Sequence, residues 1–238
     1  MLEVRDVTVR QGAIAAVRGA SLDVGAGTIV ALIGANGAGK SSLLEAISGM
    51  KRPIEGRINF HGERIDKMPS HEVLARGMAH VPENRLIFTR LTVGENLAVA
   101  ATAHMSSALA RRRREAVLER FPELALRLDE PASVLSGGQQ QLLAVARGLM
   151  TKPKLLILDE PTLGLSPIAT ASMFSLIADL RVDGSAILLV DQNINRTLAI
   201  ADTAYLIDNG EIALSGPARA LPDNPRLAEA LLGTARNS

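Results

Sequence analysis

The chain has 238 residues, 47% apolar and 21% charged, with 26 basic against 25 acidic side chains and a net charge of +1. This ordinary globular composition excludes disorder, and the charge balance excludes a dedicated nucleic-acid binder with a strongly basic domain. With no cysteine, disulfides and thiolate chemistry are excluded, and with 2% aromatics and no Trp so are base-stacking platforms.

Leu2–Val9 carries β-branched residues in patchy alternation and predicts a strand. Ile29–Ile33 is a continuous apolar run followed by glycines, the pattern of a buried parallel strand. Lys40–Ser48 places Leu43, Leu44 and Ile47 on one helical face, with Gly49 as the stop. Arg57–Phe60 and Glu63–Ile65 flank His61-Gly62 as a hairpin. Ser70–Arg76 predicts a short helix and Met78–Val81 a strand. From Leu86 to Met150 the pattern turns helical. Thr92 with Glu95 is a capping box opening a helix towards His104, Arg111–Arg120 is a polar-faced helix, and Ser136 caps a helix to about Met150. Strands return at Leu155–Leu158 and Ala186–Val190, with a helix from Pro167 to Leu180 between them. Tyr205–Asp208 and Glu211–Leu214 form a second hairpin around Asn209-Gly210, and Pro225–Leu232 is a terminal helix. The order predicts one α/β domain: a core over 1–85 and 151–238, with a helical insert over 86–150.

No stretch reaches the roughly 18 apolar residues of a membrane span, and Met1–Arg10 has no signal-peptide core. The expectation is a soluble cytoplasmic protein that meets a membrane only through a partner. The four arginines at 111–114 are expected on a solvated helix face. His61, His71, His80 and His104 share no metal-ligand spacing and are expected in turns or at the surface.

Gly34-Ala35-Asn36-Gly37-Ala38-Gly39-Lys40-Ser41 matches GxxxxGK followed by Ser or Thr, between a predicted strand and a predicted helix. Glycines let the backbone curl its N–H groups inward onto a polyphosphate, with Ser42 continuing into the helix. Lys40 offers a point charge to the β- and γ-phosphates, and the Ser41 hydroxyl is a Mg²⁺ ligand. Leu155–Leu158 ends in Asp159-Glu160, at the carboxyl edge where α/β sheets bind ligands. Asp159 suits Mg²⁺, and Glu160 suits the proton of an attacking water. Leu135-Ser136-Gly137-Gly138-Gln139 is a second helix start with a serine cap and paired glycines, a candidate second anion site.

With these three motifs in this order, the whole chain resembles the ATP-binding cassette (ABC) ATPases. The resemblance implies a P-loop NTPase core with an N-terminal antiparallel β subdomain and the helical insert. It also implies ATP and Mg²⁺ as cofactors and two cassettes packed head to tail. Each ATP then lies between one phosphate loop and the other cassette's signature segment, here Ser136, Gly137, Gly138 and Gln139. Closing and reopening drive a membrane permease. The implied partners are a second ATPase subunit, two permease subunits and, indirectly, an extracytoplasmic binding protein, at the cytoplasmic face of the membrane. No nucleic acid is expected.

Val81–Leu97, reading VPENRLIFTRLTVGENL, resembles the corresponding segment of branched-chain amino-acid importers. So do Asp159–Pro167 (DEPTLGLSP) and Leu189–Asn193 (LVDQN). Importers of urea and short amides share these segments. The three motifs by themselves also fit a soluble, non-transport cassette protein or a weakly hydrolysing regulatory subunit. Phe88 and Leu91–Leu97 are candidates for docking the permease.

Three positions depart from the common family pattern. Glu83 stands where a glutamine approaches Mg²⁺ and the attacking water, Gln192 where a histidine senses the γ-phosphate, and Ser166 where the loop after Glu160 ends in aspartate. A fourth departure concerns the base: Gln11 replaces the aromatic that stacks on adenine, with Ile14 or Val17 as aliphatic substitutes. The expected result is weak base discrimination.

Overall fold

The computed structural model describes residues 1–102, 105–182, 184–222 and 224–227. Two sheets organise it. An antiparallel sheet of four strands has the order β2-β1-β4-β5, from β1 (Leu2–Gln11), β2 (Ile14–Val24), β4 (Glu55–Phe60) and β5 (Glu63–Arg64). A six-stranded sheet has the order β10-β9-β3-β8-β7-β6, from β3 (Ile29–Ile33), β6 (Met78–Val81), β7 (Leu155–Asp159), β8 (Ala186–Val190), β9 (Thr203–Asp208) and β10 (Glu211–Pro217). In the second sheet only β10 runs antiparallel to its neighbour.

Every residue of β3, β7 and β8 is buried, because both faces of this sheet are covered. Alternation sorts their side chains. Leu155, Ile157, Leu188 and Val190 join the core shared with the antiparallel sheet and α1 (Lys40–Ile47). Leu156, Leu158, Ile187 and Leu189 face the opposite way, onto α3 (Val93–Thr102), α4 (Ser107–Arg120), α6 (Gly137–Met150) and α7 (Pro167–Val182). A third cluster packs Leu198 of α8 (Ile194–Ile200) against Ala31, Ile33 and Leu206. Helix α1 therefore starts at the carboxyl end of β3, between the two sheets, where the phosphate loop must sit.

The predicted strands and helices occur at or within a few residues of the expected positions, with α2 at Ser70–Ala75. Three elements lack a prediction: β2, the short α5 (Pro122–Ala125) and α8. Of the terminal helix, residues 225–227 are helical, and the remainder, like His104, lies outside the described residues. Two expectations need correction. His80 is in β6, half-buried, with Nε2 wholly buried and Nδ1 3.0 Å from the hydroxyl of Ser48 at the end of α1. Arg113 is not simply solvated: its Nε is buried without a hydrogen-bond partner among the described residues, while Arg111 and Arg112 are exposed.

Candidate functional site

A cleft of about 360 Å³ opens at the carboxyl ends of the parallel strands, lined by Asn36, Gly37, Gly39, Lys40, Ser41, Ser42, Glu83, Glu160 and Gln192, with Gln11 and Ala16 at one side. The phosphate loop forms its floor. Gly39 has φ +108°, a left-handed conformation open to glycine, and a Cβ there would collide with the carbonyl oxygen of Ala16. Gly34 is equally restricted, because a Cβ would collide with the carbonyl oxygen of Ile207. The loop is pinned from below by the N–H of Gly210, which donates to the carbonyl of Ala38 at 2.9 Å. Lys40 Nζ donates to the carbonyls of Gly34 and Ala35 at 2.9 and 3.0 Å. Its ammonium is thus held across the loop, and Gly34, Ala35 and Ala38 shape the cradle from behind.

Behind the cleft stand two carboxylates. Asp159 ends β7, 3% exposed, within hydrogen-bonding reach of Ser41. Glu160 follows in a left-handed conformation, φ +50°, with its N–H donating to the carbonyl of Val190 at 2.8 Å. Its carboxylate lies within hydrogen-bonding reach of the Gln192 side chain. Burial raises the pKa of both acids, against the pull of Lys40. One oxygen of each, Asp159 Oδ1 and Glu160 Oε2, is buried with no hydrogen-bond partner among the described residues. Such orphaned acceptors beside a lysine and a serine suit a hydrated Mg²⁺ and a reacting water. No group of three or more His, Cys, Asp or Glu side chains among the described residues is arranged to hold a metal alone, so phosphate oxygens and water must complete its shell.

Glu83 is exposed at the rim, on the loop after β6. That loop is held by contacts that no local motif announces. Arg85 donates to the side-chain oxygens of Gln141 and Gln140 at 3.1 Å each, and Arg147 donates to the carbonyl of Leu86 while its guanidinium covers the Phe88 ring at 4.8 Å. The buried Asn96 side chain accepts from the N–H of Phe88 and donates to its carbonyl, both at 2.9 Å. Of the expected docking residues, Val93 and Leu97 are fully buried, which removes them, and Phe88 remains exposed; Leu86, outside the expected segment, is exposed beside it.

Ser136, Gly137, Gly138 and Gln139 do not line the cleft. Gly137 lies beside the Arg85 guanidinium, and Gly138 faces Leu165 and Ala169 on the loop and helix after β7. Ser136 Oγ accepts from the N–H of Gln139 at 3.3 Å while Gln139 Oε1 accepts from the N–H of Ser136 at 3.0 Å, a reciprocal cap. Ser166, the departure from aspartate, caps α7 by accepting from the N–H of Ala169 at 3.3 Å. At the base-binding side, Val17 is fully buried and gives no contact, which corrects that expectation; Ile14 is 72% exposed.

Known proteins resemble this chain along its length. The family model described as ABC transporter matches residues 17–163. The high-affinity branched-chain amino acid transport ATP-binding protein BraG of Pseudomonas aeruginosa is 43% identical over 98% of this chain and 100% of its own length. BraF, a second such protein of the same organism, is 34% identical over 99% of this chain and 98% of its own. Among solved structures, a nucleotide-free ATP-binding cassette from an ABC transporter superposes with a TM-score of 0.86 at 26% identity, covering 97% of this chain and 98% of that one.

Proposed function

For a chain that belongs to the ABC transporter ATPase family, we propose the role of ATP-hydrolysing subunit of an importer for branched-chain or related amino acids. The carrying observation is the convergence of Lys40, Ser41, Glu160 and Gln192 on one cleft, with Asp159 directly behind it. The likeness to BraG and BraF supports the substrate class. Lys40 and the inward N–H groups of residues 37–42 bind the β- and γ-phosphates. Ser41 and Asp159 are the residues to hold Mg²⁺, directly and through water, with Glu83 at the rim. When bound, Mg²⁺ neutralises charge across the phosphates. Glu160 takes the proton of the attacking water, and Gln192 orients both water and γ-phosphate by donating its amide N–H. The raised pKa of Glu160 suits a base that must also tolerate the triphosphate nearby.

No helix among the described residues is long and apolar enough to cross a membrane. Work on a transported substrate therefore requires permease subunits, and we assign the chain to the cytoplasmic face beside them. Exposed Leu86 and Phe88 are the docking candidates, held by Arg147 and Asn96. We assign 86–150 as the helical subdomain and the flanking 1–85 and 151–238 as the nucleotide-binding core. Gln11 in place of an aromatic implies a weak grip on the base.

The test is Glu160→Gln, which keeps the shape of the side chain and removes its basicity. ATP binding, followed by equilibrium titration, should stay near wild type, while turnover falls at least about 100-fold, within the general-base range. Near-wild-type hydrolysis by this variant would assign the base elsewhere.

A further inference from the structure

Three successive residues at the end of β8 each engage the loop after β7. The carbonyl of Val190 accepts from the N–H of Glu160, and the side chain of Gln192 reaches the carboxylate of Glu160. Between them, Asp191 is 3% exposed, and its side chain points away from both contacts into the loop. Oδ2 accepts from the N–H of Thr162 at 3.2 Å and lies 2.7 Å from its hydroxyl. Oδ1 lies 2.8 Å from the same hydroxyl and accepts from the N–H of Asn193 at 2.8 Å.

A buried carboxylate persists only where donors offset its lost hydration. Here the donors come from two different loops, the one that presents Glu160 and the one that presents Gln192. An amide would offer one accepting oxygen and set its NH₂ against a backbone N–H. Thr162 also borders an open surface pocket of about 650 Å³, with Leu163, Thr170 and Asn195. Meanwhile Glu160 sits in a left-handed conformation that holds only where its surroundings enforce it. Enforcement comes from the Val190 carbonyl at one end and from Asp191 through Thr162 at the other.

We propose that Asp191 is a positioning residue for hydrolysis, a clamp through Thr162 and Asn193 that makes the Glu160 and Gln192 loops move as one body. The inference rests on the hydrolytic reading given above. It assigns Asp191 no contact with ATP, so binding and turnover should separate.

The experiment compares Asp191→Asn, Asp191→Glu, Thr162→Val and Thr162→Ser by backbone hydrogen exchange, Mg-ATP binding and steady-state hydrolysis. Asp191→Asn should speed exchange at least about tenfold in both 160–165 and 191–197, because opening either segment no longer breaks the shared contacts. It should lower turnover at least about tenfold with KM and the Mg-ATP Kd within about threefold of wild type, the signature of an interaction that matters beyond binding. Asp191→Glu keeps both accepting oxygens and should recover most of the exchange protection and turnover, and Thr162→Ser should resemble wild type. Thr162→Val, which deletes the hydroxyl alone, should show the same pattern in smaller size and carries the test if Asp191→Asn fails to fold. Wild-type exchange in 160–165 for Asp191→Asn or, where that variant does not fold, for Thr162→Val would overturn the clamp. So would equal losses of binding and turnover, or failure of Asp191→Glu to rescue. Unimpaired hydrolysis by Glu160→Gln would overturn the underlying base assignment instead, and leaves the exchange result to be judged by itself.

Discussion

His80 shows how much a single side chain reports about its surroundings. Ser48 Oγ donates its one proton to the carbonyl of Leu44 at 2.9 Å, so its contact with His80 Nδ1 at 3.0 Å makes the imidazole the donor there. Nε2 is then a buried acceptor with no partner among the described residues. Burial lowers the His80 pKa to about 4, against a weaker opposing pull from Glu45. The unfolded chain binds this proton near 6.5 and the folded chain does not until about 4. Stability is therefore whole above the unfolded value and declines as pH falls through that window. The contribution lost between pH 7 and pH 5 is about 2 kcal/mol. Urea unfolding of wild type and His80→Asn at the two pH values should show this part of the pH dependence only in wild type. Equal slopes for the two proteins would mean that the histidine takes up its proton as readily in the fold as in the unfolded chain. Sequence spacing argues against His80 as a metal ligand, but its surroundings include Ser48, 32 positions earlier in the chain, a contact that no local pattern announces.

At the scale of elements, what a sequence reveals depends on how local the cause is. The Thr92–Glu95 box and the Ser136 cap form as predicted, each complete within four residues, and Gln139 adds a return bond to Ser136 that the expectation does not include. The buried strands β3, β7 and β8 announce themselves as unbroken apolar runs. Strand β2 does not, because Ala15, Ala16, Gly19 and Ala20 blur any period and its pairing with β1 is interrupted by register shifts. Helix α8 is short, and its cap, Asn193 accepting from the N–H of Arg196 at 3.4 Å, is weak. The cleft follows the same rule. Its phosphate loop and acidic strand end are readable as motifs, whereas the Arg85 contacts join residues 55 and 56 positions apart and Asp191–Thr162 joins residues 29 apart. For α6 the local cause can be measured. Ser136→Ala removes the accepting oxygen from an otherwise intact helix start and should cost about 1 kcal/mol in urea unfolding. Because Ser136 is exposed and outside the cleft, ATP binding by the isolated chain should not change. A loss of nucleotide affinity in the isolated chain would place the signature segment closer to the phosphates than this structure has it.

At the scale of the whole molecule, the two segments to which the proposed reading gives nucleotide do not meet. The phosphate loop opens into the cleft, while Ser136–Gln139 lies against Arg85, Leu165 and Ala169 outside it. Around the second segment three apolar side chains are exposed: Val134 at 60%, Leu163 at 41% and Ile168 at 82%. Exposed apolar groups beside an anion-binding helix start are what a second cassette would cover. On the proposed reading the chain supplies half of each nucleotide site and completes neither by itself. The remaining choice is between a second copy and a different ATPase subunit. Pseudomonas aeruginosa has both BraG and BraF, and this chain is similar to each, more so to BraG. On the proposed reading the pair consists of unlike cassettes. The mass in solution of Glu160→Gln, expected to bind ATP without consuming it, should therefore remain that of a monomer with Mg-ATP alone and double when the unlike subunit is added. A dimer of this chain with Mg-ATP and no other protein would instead mean that its exposed apolar rim and signature segment are self-complementary, and that one sequence completes both sites.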